Sequence, residues 1–163
     1  MGRRRVCAII RTLMDHDAWM RQALVEARHA LETGEIPVGA VVVWQDTIIG
    51  RGHNRREELH DPTAHAEILA LREAGAERGG WRLAGSTLYC TLEPCPMCAG
   101  ACVNARIETL VFGIRDPKAG AAGSVYDLVR SPWLNHRLRV ISGVLAGEVQ
   151  DLMQSFFTNI RQD

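Results

Sequence analysis

The sequence predicts an α/β fold, a mixed central sheet of about five strands with helices on both faces. Three observations carry this. Helical and extended patterns alternate after an opening hairpin, an order that favours helices packed on both sides of a sheet. The extended runs are short, β-branched and almost wholly apolar, as in strands covered on both faces. The two flanking helices each show apolar residues at helical spacing, so each has one face to bury.

The elements follow in order. Asp15 or Asp17 can cap a helix with apolar positions Trp19, Met20, Ala23, Leu24, Ala27, Ala30 and Leu31, and Gly34 stops it. Val38–Trp44 reads as a buried strand, Gln45-Asp46 as a turn, and Ile48–Gly52 as the antiparallel partner. Residues 54–62 are polar and charged and read as a loop. A helix is expected over Thr63–Ala74, with Pro62 before it and Gly75, Gly79 and Gly80 marking its exit, so that His65 and Glu67 share its first turn. Thr87–Leu92 is a third strand. Pro94 opens a helix over about Cys95–Ala105, rich in small residues that permit close packing. Thr109–Gly113 is a fourth strand, and Arg115–Ser124 a loop carrying Pro117, Gly120 and Gly123. Leu138–Val144 is the candidate fifth strand. Ala146–Ile160 is an amphipathic closing helix with Val149, Leu152, Met153, Phe156 and Phe157 on its apolar side.

Bulk properties narrow the possibilities. A length of 163 residues suits one domain, and a hydrophobic fraction of 47% supports a core without staples. There is no run of eighteen apolar residues, so no membrane span is expected. The net charge is zero, so a nucleic-acid partner has to be met by a local basic patch. Five cysteines with one Cys-x-x-Cys fit a metal site in a reducing compartment better than a disulfide framework. The apolar run Val6–Ile10 is too short for a secretory segment, and Arg11 interrupts it, which points to a cytoplasmic protein. Met14 precedes the first clear helix signal. The expected organisation is a disordered extension over residues 1–13 and a single domain over 14–163.

Two stretches carry the chemistry: His65-Ala66-Glu67 and Pro94-Cys95-Pro96-Met97-Cys98. Together they are the recognised signature of the zinc-dependent nucleobase deaminases. Zinc takes nitrogen and sulfur donors in a tetrahedron, and a catalytic site uses three protein ligands and leaves one position for water. His65, Cys95 and Cys98 supply three, for one Zn2+ per chain. A helix start and a cation both favour the thiolate. Glu67 is better used as a proton shuttle, taking a proton from the attacking water and delivering protons to the ring nitrogen and the leaving amine. A structural zinc site would need a fourth protein ligand. Cys102, the nearby candidate, lies about one ~5.4 Å helical turn further along and is expected in the core, like Cys90.

From Trp19 to Phe157 the chain resembles the bacterial tRNA-specific adenosine deaminases. The resembling segments are Glu35–Val41, Gly52–Arg55, Asp61–Glu67, Thr91–Ala101, Phe112–Ser124 and Leu134–Arg137. The zinc motif is shared with cytidine, deoxycytidylate and guanine deaminases; the loop through Asp116 to Ser124, with Asn135-His136-Arg137, is the more specific part. The resemblance implies a cytidine-deaminase-like three-layer α/β/α fold, a homodimer, and conversion of adenosine to inosine at the wobble position of a tRNA anticodon stem-loop. It implies that Asn54 hydrogen-bonds the target nucleotide, and that the base flips into a pocket walled by Val38, Ala66 and Leu92, since a stacked base is out of reach. Asp116 is the candidate acceptor for a ribose 2′-hydroxyl. Arg72, Arg115, Lys118, Arg137, Arg139 and Arg161 are candidates for phosphate contacts. Pro117 and Ala119 depart from the family's loop. Two rival functions predict different behaviour: a free nucleobase or nucleoside deaminase of cytosine, guanine or adenine type, active without tRNA, and a non-catalytic zinc-stabilised RNA-binding module, with a fourth protein ligand.

Overall fold

The structure is a computed structural model that describes residues 2–160, with side chains from residue 16 onward. Its elements are α1 (Gly2–Glu32), β1 (Gly39–Trp44), β2 (Thr47–His53), α2 (Arg56–Leu59), α3 (Ala66–Arg78), β3 (Thr87–Leu92), α4 (Pro96–Asn104), β4 (Thr109–Ile114), β5 (Arg139–Ser142) and α5 (Ala146–Ile160). The sheet has five strands in the order β2-β1-β3-β4-β5. β1 runs antiparallel to β2 and β3, while β3, β4 and β5 are parallel, so the sheet is mixed as expected.

Alternation along the strands sorts the core onto two faces. Ala40, Val42, Leu88, Cys90, Leu110 and Phe112 face one side and pack with Ala70, Ala74, Ala99, Cys102 and Val103 of α3 and α4. Val41, Val43, Tyr89 and Val111 face the other and meet Met20 and Ala23 of α1. α5 joins this second layer: an ion pair from Arg21 to Glu148, 2.8 Å, ties it to α1, and Val149 and Phe156 are its buried residues. Phe157, expected beside them, is 46% exposed.

Glycines let the helices sit directly on the strands. A Cβ on Gly39 would lie 2.0 Å from the Ala23 carbonyl oxygen of α1, and one on Gly52 would lie 2.2 Å from the Ala66 carbonyl oxygen of α3. At such distances no side chain separates helix backbone from sheet backbone.

Several boundaries differ from the sequence reading. The α1 backbone is helical from Gly2, ahead of the Asp15 or Asp17 cap. The side chains of residues 1–15, on which the expected extension falls, lie outside the described residues, as does Arg161. α3 starts one residue after His65, which is the extended N-cap (φ −76°, ψ 151°) and not part of the first turn. The helix also runs through Gly75 and ends at Gly79, whose φ of +66° lets the chain turn back. Cys95 is likewise the N-cap of α4. Within the expected 54–62 loop lies α2, whose four residues show no apolar period; the Glu35 carboxylate accepts the Glu58 N–H at 3.0 Å and holds it. The fifth strand is shorter than Leu138–Val144, because residues 139–142 are the ones paired to β4. Among the described residues no helix is long and apolar enough to cross a membrane.

Candidate active site

Topology brings the chemical residues to one end of the sheet. β3 and β4 are parallel and finish side by side, at Leu92 and Ile114. β1 is antiparallel to them, so its start lies at this same end, and so does the finish of β2, where Gly39 pairs with His53. The ends of parallel strands are where α/β folds leave a crevice. Hydrogen bonds stitch the segments together there: Asn54 N–H to Val38 O (3.1 Å), Glu93 N–H to Ile114 O (2.9 Å) and Ala121 N–H to Pro94 O (2.8 Å).

A cavity of about 160 Å³ opens at this point. Val38, Asn54, His65, Ala66, Glu67, Leu92, Cys95 and Asp116 all line it, and these are the residues that the sequence pointed to. Cys98, the remaining one, is fully buried. Ile36, Arg56 and Glu93 also line the cavity and were not foreseen; Ala119, from the loop that departs from the family's pattern, lines it too.

His65 and Cys95 are N-caps whose carbonyls accept the first bonds of α3 and α4, from Leu69 (3.1 Å) and Ala99 (2.8 Å). Their side chains are thereby left for other work. His65 Nδ1 lies 3.6 Å from Cys95 Sγ and 3.5 Å from Cys98 Sγ, and the three donor atoms lie within 4.8 Å of one another. A tetrahedral ion with Zn–S near 2.3 Å and Zn–N near 2.0–2.1 Å gives a sulfur–nitrogen edge of ~3.5 Å. Both sulfur–nitrogen edges therefore have the length that zinc requires. Cys102 is fully buried in the α4 core and is not part of it. Burial pushes its thiol up, and that of Cys90.

The electrostatics suit a cation. The Cys98 thiol donates toward Cys95 and, with His65, holds the Cys95 thiol down at about 4, against the cost of burial. Cys98, as the donor, is pushed up. His65 is raised, chiefly by Cys95. Two helix N-termini add their positive ends to a site holding two sulfurs. Glu67, 4% exposed, is raised above the ordinary carboxylate range by burial. A carboxyl group so placed holds a proton more firmly than a solvated one.

The substrate side is held by side chains bound to backbone. Asn54 is 5% exposed; its Nδ2 donates to Ile36 O at 3.3 Å and its Oδ1 accepts from Arg56 N–H at 3.4 Å. Asp116 Oδ1 accepts from Lys118 N–H (2.9 Å) and Ala119 N–H (3.2 Å), which makes it the pivot of its own turn. Arg137 donates to Ser131 O (3.4 Å) and Pro132 O (3.2 Å).

Glu93 is the residue that sequence reasoning missed. It is 1% exposed. Oε2 accepts from Asp116 N–H at 2.9 Å and from the Ser124 hydroxyl; Oε1 accepts from Ala122 N–H and Ser124 N–H, each at 3.0 Å. Burial alone would raise its pKa, but these donors outweigh burial and hold it below the usual range. One carboxylate, two residues from Cys95, thus anchors the loop that carries Asp116. The only signal in the sequence was an acidic residue in an apolar context before Pro94.

Comparison with known proteins agrees with this picture. The chain matches the MafB19-like deaminase family over residues 14–161. It is similar to the tRNA-specific adenosine deaminase of Bacillus subtilis (strain 168), 47% identical over 146 residues, covering 90% of this chain and 91% of that one. The Streptococcus pyogenes serotype M18 protein of the same description is 44% identical over 151 residues, covering 93% and 95%. A solved structure from work on A-to-I editing by tRNA:A34 deaminases at the wobble position of transfer RNA superposes with a TM-score of 0.80 at 46% identity, covering 83% of this chain and 98% of that chain. A Thermotoga maritima diaminohydroxyphosphoribosylaminopyrimidine deaminase/reductase gives a TM-score of 0.72 at 32% identity, covering 93% of this chain and 42% of that one.

Proposed function

The chain belongs to the tRNA-specific adenosine deaminases, within the MafB19-like deaminase family, and from that premise we propose how its residues convert adenosine to inosine at the wobble position of a tRNA anticodon. The observation that carries the reading is the convergence of a donor triangle with zinc-length sulfur–nitrogen edges and a buried carboxylate on one cavity.

His65, Cys95 and Cys98 would hold one zinc ion, which would supply the acidification of water that makes a nucleophile available for the amino-bearing ring carbon. Glu67 is placed to take one proton from the attacking water and hand it to the ring nitrogen, then to take the remaining hydroxyl proton and hand it to the amine, which departs as ammonia. Its burial keeps the carboxyl from being solvated in either state. Val38, Ala66 and Leu92 exclude water from the faces of a base turned out of the anticodon loop. Asn54, its amide fixed by Ile36 O and Arg56 N–H, hydrogen-bonds the nucleotide. Asp116 accepts from the ribose 2′-hydroxyl while Oδ1 holds the turn.

We read the working unit as a homodimer of single deaminase domains spanning residues 14–163, with residues 1–13 outside the domain. An apolar recess beside α3 and α4, lined by Ile68, Leu71, Trp81 and Ala101, supports the dimer. Cys90, Cys95, Cys98 and Cys102 are free thiols, in keeping with a reducing, cytoplasmic setting.

The test is inosine formation by zinc-loaded protein on an anticodon stem-loop with adenosine at the wobble position, run beside free adenosine. Turnover confined to the stem-loop is expected. Turnover of free adenosine, or of neither, would overturn the assignment of substrate.

A further inference from the structure

On the far side of β2 from α3, a second group of metal-type donors comes together. Glu26 and His29 stand three residues apart on α1, and His53 is the last residue of β2. The Glu26 side chain is 10% exposed, His53 22% and His29 49%, so the group is partly buried with one open side. Glu26 Oε2 lies 3.2 Å from His53 Nδ1 and 3.6 Å from His29 Nδ1. All three donor atoms lie within 4.8 Å of one another.

The two distances have different explanations if no cation is involved. The 3.2 Å pair can be a hydrogen bond, but 3.6 Å is beyond hydrogen-bond reach. With ligands at ~2.1 Å from a tetrahedral cation, the nitrogen–oxygen edge is ~3.4 Å. Both observed edges lie within a few tenths of an ångström of that value. Both imidazoles also turn the same atom, Nδ1, toward the same carboxylate oxygen. The other oxygen, Oε1, is 3.5 Å from Arg51 Nη1, which leaves Oε2 for a monodentate role.

We propose that Glu26, His29 and His53 form a second divalent-cation site, separate from His65, Cys95 and Cys98. Two imidazoles and one carboxylate suit zinc, nickel or copper over magnesium or calcium. The site is weaker than the thiolate site, for two reasons. It has no sulfur donor, and the Arg51 guanidinium cancels the carboxylate charge that a cation would use. Its position gives it a role, because His53 directly precedes Asn54 in the chain. A cation here clamps α1 to the end of β2 that leads into the cavity. The proposal does not depend on the reaction assigned to the cavity.

The test uses full-length protein already carrying one zinc per chain, titrated with cobalt(II). One further equivalent is expected to bind, with d–d absorption and no thiolate-to-cobalt charge-transfer band. His29→Gln, at a half-exposed position, should keep the fold and the first zinc and weaken the second equivalent at least tenfold; Glu26→Gln should do the same. A simple ion pair between protonated His29 and Glu26 would give no second equivalent, and that result overturns the proposal. So does a second equivalent that survives His29→Gln, or one that shows the thiolate band.

Discussion

Replacing Glu93 by glutamine changes one atom and tests whether the substrate-side loop hangs on a single carboxylate. Each carboxylate oxygen accepts from two donors. An amide has one acceptor oxygen, so its NH2 must face one of the two donor pairs. The less costly choice puts the NH2 toward the Ser124 hydroxyl, which can rotate to accept, and leaves Asp116 N–H without an acceptor. The fault therefore falls beside the cavity. Three surviving bonds lose their charge assistance at roughly 1 kcal/mol each, and the orphaned N–H costs about 1–3 kcal/mol. Water reaches half-buried Asp116 and offsets most of the cost of the orphaned N–H, so the net is about 3–4 kcal/mol. For a chain of this size that is a fall in Tm of about 5–15 °C. If at least 2 kcal/mol of it is loop displacement, kcat/KM on the anticodon stem-loop falls roughly 30-fold or more. The assays are thermal melting, metal analysis and inosine formation, all on one preparation. The reasoning requires zinc content to stay at the wild-type level, because His65, Cys95 and Cys98 are untouched. Unchanged Tm and kcat/KM would refute it, and so would loss of zinc in step with activity, since the effect would then run through Cys95 and not through the loop.

Other consequences follow from the same geometry. Because the Asp116, Ala122 and Ser124 donors hold Glu93 below the usual carboxylate range, its folded pKa lies below the unfolded one; its contribution is complete above about pH 4.5 and is lost as pH falls through the folded value, so wild-type and Glu93→Gln melting temperatures should converge in acid. Glu67→Gln should retain fold and metal and lose at least 10²-fold in turnover; an active variant would remove Glu67 from the proton path. Gly52→Ala places a Cβ 2.2 Å from Ala66 O at the start of α3, costs about 1–3 kcal/mol, and should loosen metal retention with it; a stable variant with full zinc content would contradict the close approach. Asp116→Asn should relax preference for RNA over DNA hairpins of matched sequence, and unchanged relative rates would reject the 2′-hydroxyl role.

What could be read from the sequence had local causes. β3 and α5 have the expected bounds because an apolar β-branched run and a 3.6-residue period are properties of the segment itself. The candidate metal donors His65, Cys95 and Cys98 were legible because two short motifs encode them. α2 was not, since the acceptor for its Glu58 N–H is Glu35, twenty-three residues earlier. Glu93 was not, since its partners lie on a loop up to thirty-one residues later. Gly75 misled because glycine stops a helix only where the chain must turn; here the turn is made at Gly79, with φ +66°. The convergence of β1, β2, β3 and β4 ends on one cavity is a property of strand order, which no local pattern records.

Backbone seated on backbone at Gly39 and Gly52 also constrains how such a protein can diversify. The start of α3, with His65 and Glu67, is registered against β2 like a part in a jig, with no side chain between them to trim or enlarge. Stepwise substitution cannot slide that end of the helix by small amounts, so the placement of Glu67 and His65 is inherited as one unit with the sheet. The 115–138 connection has no such seat over its exposed part; Ala121, Ala122 and Val129 tie it to the core, and the Glu93 carboxylate and turns of its own hold the rest. Adaptation to a new substrate is therefore channelled into that connection, while the reaction stays the same.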